Sequence, residues 1–420
     1  KKTFQQGREA LEAAVAIFQD NDHPGEAIAC LAVLCQIFGG ISSYPEMQKL
    51  SDEALALSNK LDNHLYDATI LRALAATHRD QKRLNQALPL AEAALNSARK
   101  IGDIAGEASS LQLLGFIQFD LGQQEEGLQN LRQALDISEA IGFDRLTWDV
   151  ALDVLNMYFR TNGDYQGAIA FLDKRIAIAQ GAKEKSHQDM LLLAFRYNKM
   201  ELCEYMGLYT EALEVSDKFV PTARKLGIQP RRGLSWTYRI RAQLGDPDEP
   251  PRLLEQILEI EPDSFHLLFN AAFVAWISPN SADWPKGLAW AQAATQIVQE
   301  LGEGFHIELA FALDLTARLY LALGQIEEAL SHMKELMQLA KIDPRLYGHE
   351  QFNFTYYNVL CAAGHPEEAD EALKRAYAEV SRVAEKITDE TLRRSWLAAV
   401  PYNRAIMTEA EARGVTDSNT

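Results

Sequence analysis

The sequence lacks the short motifs that common enzymes are built on. It has no Gly-x4-Gly-Lys-Ser/Thr loop for phosphates, no HExxH pair and no GxSxG elbow, so nucleotide hydrolysis, zinc proteolysis and serine hydrolysis have no residues to run on. Cysteine is scarce: Cys30, Cys35, Cys203 and Cys361 are all there are, with no CxxC pair and no histidine at zinc-ligand spacing. They read as small buried hydrophobes in a reducing compartment, with no metal and no redox role. No apolar run approaches the roughly 18 residues of a membrane span, and no charged-then-apolar leader opens the chain. Alternating strand patterns are absent, which excludes a sheet. Basic residues are outnumbered 41 to 59, a net charge of −18, which disfavours nucleic acid and anionic membranes as partners. The expectation is a soluble, cytoplasmic, all-α protein that uses no cofactor.

What the chain does have is a unit of about forty residues, repeated. Each copy is an apolar helix, a turn with glycine, and a second helix that opens on Glu-Ala-Leu or a variant. Small residues at the start of the second helices mark Ala10, Ala54, Ala87, Gly127, Ala168, Ala212, Ala329 and Ala369. From 87 to 127, 127 to 168, 168 to 212 and 329 to 369 the steps are 40, 41, 44 and 40 residues. The gap between Ala212 and Ala329 holds two degenerate copies, 229–264 and 265–302, with Gly287 at the small position of the second. At 420 residues the chain exceeds what one core accommodates, but a repeat array escapes that limit because each unit packs only on its neighbours.

Helix ends carry their own signals. Ile101-Gly102, Ile141-Gly142, Leu226-Gly227 and Leu301-Gly302 read as C-caps. Paired acids at Glu125-Glu126, Glu327-Glu328 and Glu367-Glu368 recur in register, which makes them first-turn acids facing a helix dipole rather than a catalytic pair. Gly115, in mid-helix, costs about 1 kcal/mol against alanine and is explained by close helix packing.

Leu114-Gly115, Gly122, Gly127, Leu131 and Ala134 stand where the tetratricopeptide repeat places its Leu-Gly pair, turn, first small, large apolar and second small residues. The chain resembles that family over nearly its whole length, with Leu111 where the family has tryptophan, Gln118 where it has tyrosine, and few closing prolines. The forty-residue period is similar to the C-terminal sensor arm of bacterial STAND-type signalling NTPases, the group typified by the maltose regulator, and so is the closing stretch Leu392–Arg404. The resemblance implies a right-handed α-solenoid superhelix of about nine helix pairs. Its expected divisions are a truncated leading helix at 1–22, the superhelix at 23–388, a capping helix at 389–413 and a disordered tail at 414–420. Because the chain opens on Lys1 in the middle of a repeat, something is expected upstream, with an NTPase module of the same polypeptide as the candidate.

In such arrays the first helices line a concave groove. Carried over by position, the groove residues are Arg72, Arg79, Gln112, Phe116, Phe119, Asp153, Met157, Arg160, Tyr197, Glu201, Arg239, Asp314, Arg318, Phe354 and Asn358. Aromatics mixed with both charge signs suit a protein or peptide ligand and not a greasy small-molecule pocket. The Lys and Asn clamp with which some members hold a C-terminal carboxylate is absent. One basic stretch, including Arg224, Lys225, Arg231 and Arg232, precedes an acidic stretch from Asp246 to Asp263; it is either a site for an anionic partner or half of a mutually neutralised pair of segments. The functional expectation is a non-catalytic recognition scaffold, as the sensing arm of a larger signalling NTPase or, alternatively, as a free-standing adaptor between two proteins.

Overall fold

A computed structural model describes residues 2–39, 44–141, 154–155, 162–181, 185–227, 231–245, 254–256, 258–259, 261–262, 264–301, 305–343 and 346–415. Among these there is no strand. The chain divides into two compact units, 1–154 and 155–420. The first contains α1 (Lys2–Asp20), α2 (Pro24–Gly39), α3 (Tyr44–Leu61), α4 (Asp67–Asp80), α5 (Leu84–Ile101), α6 (Ile104–Asp120) and α7 (Gln124–Ile141). The second contains α8 (Tyr165–Gln180), α9 (Lys185–Tyr205), α10 (Tyr209–Lys225), α11 (Arg231–Gln243), α12 (Phe265–Ile277), α13 (Trp284–Leu301), α14 (His306–Ala322), α15 (Ile326–Ile342), α16 (His349–Ala362), α17 (Pro366–Lys386), α18 (Glu390–Arg394) and α19 (Pro401–Arg413).

Each unit is a run of stacked helix pairs. Consecutive helices pack on each other, and alternate ones also touch: α2 on α4 and α4 on α6 in the first unit, then α9 on α11, α12 on α14 and α14 on α16 in the second. The alternating contact separates first helices, which form one continuous layer, from second helices behind them. This is the solenoid arrangement in which every repeat is buried by its neighbours.

The small-residue ruler marks where the two layers meet. Ala54, Ala87, Ala168, Ala212, Ala329 and Ala369 have no exposed surface, and Gly127 and Gly287 are buried as well. A Cβ on Gly115 would stand 2.8 Å from the Gly127 carbonyl oxygen and 2.8 Å from Leu131 Cγ; one on Gly127 would stand 2.7 Å from the Gly115 carbonyl. The α6 and α7 backbones therefore approach more closely than any side chain permits. Ala10 departs from the pattern: it is exposed, and α1 packs instead through Leu11 and Val15. The turns keep one conformation. Gly122, Gly207, Gly324 and Gly364 all take positive φ, between 74° and 82°, a region that costs an L-residue about 1–2 kcal/mol.

At the C-terminus the single capping helix expected over 389–413 is replaced by three pieces. α18 runs into a π turn, Ser395–Ala399, and Pro401 starts α19 after an extended Val400. Proline cannot donate the backbone N–H that a continuing helix needs and suits the first turn of a new one. Of the tail expected to be disordered, Gly414 caps α19 with a φ of 65°, and Val415 packs on the neighbouring core; 416–420 lie outside the described residues.

The Gly115 contact yields a paired prediction. Gly115→Ala should lower the urea midpoint, at a cost of about 1–3 kcal/mol of overpacking. Gly7→Ala, in an exposed stretch of α1 with nothing within 4 Å, should leave it unchanged or raise it slightly. Equal effects of the two changes would contradict the close-approach account.

Candidate functional site

In the first unit, the first-helix layer presents Arg72 and Arg79 from α4 beside Gln112 and Phe116 from α6. Arg79 lies over the Phe116 ring, 4.9 Å from its centroid, while its Nε donates to Asp120 Oδ2 at 2.7 Å. Arg72 reaches the Gly106 carbonyl at 3.4 Å, and its burial pulls the guanidinium below its ordinary pKa. The result is a half-buried plate of aromatic ring and guanidinium, a surface of the composition that recognition hot spots use. Phe119 does not belong to it. At 5% exposure it is a core residue, its backbone and Cβ lying at the close approach of α6 to Gly127 of α7. Asp153, Met157 and Arg160 lie outside the described residues.

The second unit differs in a way that its repeats do not foretell. Its first-helix layer, α9, α11, α12, α14 and α16, continues into α19, and the segment before α19 reaches back to the first pair of the unit. Trp396 is completely buried against the rings of Tyr165 and Tyr205, at centroid distances of 5.5 and 5.6 Å, and its Nε1 donates to the Val380 carbonyl at 3.2 Å. Ser395 Oγ donates to the Met206 carbonyl at 2.9 Å. A Cβ on Gly207 would sit 2.9 Å from that of Ala399, so the seat accepts only glycine at that turn. Gln166 Oε1 accepts from the Thr388 and Asp389 amides at 2.9 and 3.1 Å, and Lys386 bonds the Asn162 carbonyl. Residues 189 to 231 positions apart are thus joined, and the layer closes on itself.

Closure converts the expected groove of this unit into an interior. Arg239 is held by Glu204, with Nη2 3.1 Å from Oε1, and lies 4.0 Å from the Phe273 centroid. Arg318 donates to Asp314 Oδ2 at 2.9 Å and to Thr355 Oγ1 at 2.9 Å. Asp314 is 1% exposed. Its carboxyl is pushed up by burial, against the pull of Arg318 and Gln351. Arg239, Asp314 and Arg318, predicted to face an open groove, form instead a buried ionic belt around a cavity of about 40 Å³ that Tyr402 and Val400 help to line. On the side of the belt toward Tyr197 and Glu201 lies a cavity of about 120 Å³. On the other side, reached by Phe354 and Asn358, lies one of about 700 Å³ whose walls are mainly apolar. The register of the first helices does not foretell this cavity, because the C-terminal segment, through Pro401, Tyr402 and Ala405, supplies one of its walls.

The basic stretch resolves into local pairs. Lys225 is bonded to Asp189 and Arg231 lies 3.2 Å from Glu261, so these two are engaged by neighbouring helices or by the acidic segment that follows. Arg224 is exposed on α10; the Arg232 side chain lies outside the described residues. The cysteines also separate: Cys35 and Cys203 are buried, Cys30 is half-buried and Cys361 is exposed. Burial pushes the Cys203 thiol up to about 12, far from the range of a reactive thiolate. Among the described residues no group of three metal-ligating side chains forms, and no helix is long and apolar enough to cross a membrane.

Trp396, Tyr205, Glu350 and Tyr402 were not found by sequence reasoning as parts of a site. Trp396 lies within the stretch expected to cap the array, and it does bond α17; nothing local records that it also seats on α8 and α9.

Comparison with known proteins agrees with this architecture. A tetratricopeptide repeat family model matches residues 34–100, 74–140 and 281–342, which fall on α2–α7 and on α13–α15, so these segments carry tetratricopeptide repeats. No curated protein matches the chain. Among solved structures, the apo form of the quorum sensor NprR from B. thuringiensis covers 80% of this chain and is itself covered to 99%, with a TM-score of 0.52 at 11% identity; the likeness is one of fold. A tetratricopeptide repeat protein from Parabacteroides merdae covers 71% of this chain and is covered to 98%, with a TM-score of 0.40 at 12% identity.

A titratable group sits inside the closure. Tyr205 donates to Glu350 Oε1 at 2.6 Å, and burial pushes Glu350 up to about 7 despite that bond. An acid whose pKa is raised on folding stabilises the fold fully below its ordinary value near 4.5, and this contribution is lost as pH rises through about 7. Its size is on the order of 3 kcal/mol. Neighbouring His349 is lowered by burial and works in the opposite sense, losing stability as pH falls. Comparing the wild type with Glu350→Gln isolates the acid: from pH 5 to pH 8 the melting temperature of the wild type should fall relative to the variant. Parallel profiles would contradict the assignment.

Proposed function

We propose that the chain is a non-catalytic recognition scaffold that binds a protein or peptide segment, and that the binding face is the first-helix layer of the first unit. The observation that carries this reading is the contrast between the units. The same layer in the second unit is closed by the C-terminal segment, whereas in the first it presents the Arg79–Phe116 plate with Arg72 and Gln112 beside it. A stacked arginine and ring offer apolar area, a hydrogen-bonding fork and little conformational freedom to lose. The tetratricopeptide repeats on α2–α7 support a protein ligand, since stacked helix pairs provide the extended surfaces that repeat proteins use in binding.

The finer reading is that this scaffold is the sensing arm of a larger signalling protein with an NTPase module. Support comes from the forty-residue period, the Leu392–Arg404 stretch and a fold shared with a quorum sensor. In that reading ligand capture shifts the arm between packing states. The alternative, an adaptor that bridges two proteins, requires the same face but no upstream module.

Selection of a random peptide library against the immobilised protein tests the face. Enriched peptides should lose about tenfold or more in affinity, ~1.4 kcal/mol, when Phe116→Ala is introduced, and little when Tyr197→Ala is introduced in the second unit. Equal losses, or no enrichment, would reject the assignment.

A further inference from the structure

We propose that the second unit holds a separate small-molecule site, the cavity of about 700 Å³ at the C-terminal ends of α11, α12, α14 and α16, and that its ligand is an uncharged aromatic molecule carrying one hydrogen-bond acceptor. This site does not rest on the peptide reading, which concerns the first unit.

The volume lies within the roughly 300–1,000 Å³ of small-ligand sites. Phe273 and Trp276 of α12, Phe354 of α16 and Tyr402 of α19 supply aromatic wall, with Leu321 and Ala322 of α14 beside them. Four rings converging from three helices suit a planar apolar body. Such walls are half-buried rather than packed shut, so the described residues leave this apolar surface uncovered.

Charge narrows the class further. The cationic group on the wall is Arg318, 9% exposed, fixed by Thr355 and Asp314 and set 4.9 Å from the Trp276 ring centroid. Asp314 neutralises it, as Glu204 neutralises Arg239 one layer deeper. An anionic ligand would have to compete with Asp314, and a cationic one would face two arginines in a place poor in water. A polyhydroxylated ligand would bury more hydroxyls than the walls have partners for. What remains available is directional but neutral. Arg318 carries a further pair of N–H groups on Nη1 beside the Nε and Nη2 that bond Thr355 and Asp314. Asn358 donates its amide to the Phe354 carbonyl at 2.9 Å, which leaves its own side-chain oxygen to accept. A ring system with a carbonyl would lay its plane on the aromatic walls and its oxygen toward Arg318.

The solvatochromic ketone prodan, neutral and naphthalene-based, has this chemistry and reports its surroundings by emission colour. With the intact chain its emission should shift to the blue and saturate at one probe per chain. Ala322→Trp, which fills the cavity from α14, should weaken binding about tenfold or more, and Phe116→Ala should leave it unchanged. Anilinonaphthalenesulfonate, which adds an anionic group to a comparable ring system, should bind about tenfold more weakly than prodan. If Ala322→Trp fails to give a cooperative melt, Ala405→Trp fills the same cavity from α19 and decides the question. Unshifted prodan emission, a shift that the filling variant leaves intact, or tighter binding of the sulfonate would overturn the proposal.

Discussion

The contact of Trp396 with Tyr165 and Tyr205 is the constraint on which the second unit turns. A solenoid of helix pairs is open by construction, since each repeat adds to the last and nothing local tells it to stop. Here a π turn and a proline-started helix bring one indole back across the unit, and the first and last elements become neighbours. Three rings at 5.3 to 5.6 Å, a turn glycine that admits Ala399, and the Gln166 side-chain oxygen accepting two backbone amides hold the seam. The interior that results is polar in its middle and apolar toward the 700 Å³ cavity.

From that seam follows a division of labour between two stretches with the same repeat grammar. In the first unit the polar and aromatic residues of the first helices remain a surface, Arg79 upon Phe116. In the second, equivalent positions have become interior: Arg239 pairs with Glu204 of a neighbouring helix and Arg318 with Asp314 one turn back on its own helix, along the wall of the cavity they line. A buried ion pair of this kind is costly to desolvate, so it adds little net stability. Its arginines also lie against rings, Arg239 by Phe273 and Arg318 by Trp276. The same pattern of residues thus does different work according to whether the layer is covered.

The repeat was legible in the sequence because its causes are local. A turn that requires positive φ selects glycine at 122, 207, 324 and 364, and a helix crossing that admits no side chain selects glycine or alanine five residues later. Both constraints leave periodic marks, and the small-residue ruler found every second helix it named, with Ala10 the one position whose burial it misjudged. The register places Arg72, Arg79, Gln112 and Phe116 on the first helices; Phe119, at the position that Arg79 holds one repeat earlier, is core because its Cβ lies at the close approach of α6 to Gly127. The closure was not legible. Trp396 reads as a cap from its neighbours alone, and its partnership with Tyr205 spans a separation that no periodicity encodes. With the closure went the state of Arg239, Asp314 and Arg318, which the register places on the first helices without recording what covers them.

Hydrogen exchange of the intact chain, with and without Trp396→Ala, tests the seam most directly. If Trp396 seats on the first pair of the second unit, the amides of Met206, Gly207 and Leu208, which bond the Leu202, Glu204 and Cys203 carbonyls, should exchange faster in the variant, while those of α4 to α7 keep their protection. Faster exchange confined to 390–413, with the 206–208 turn unchanged, would contradict a closed second unit.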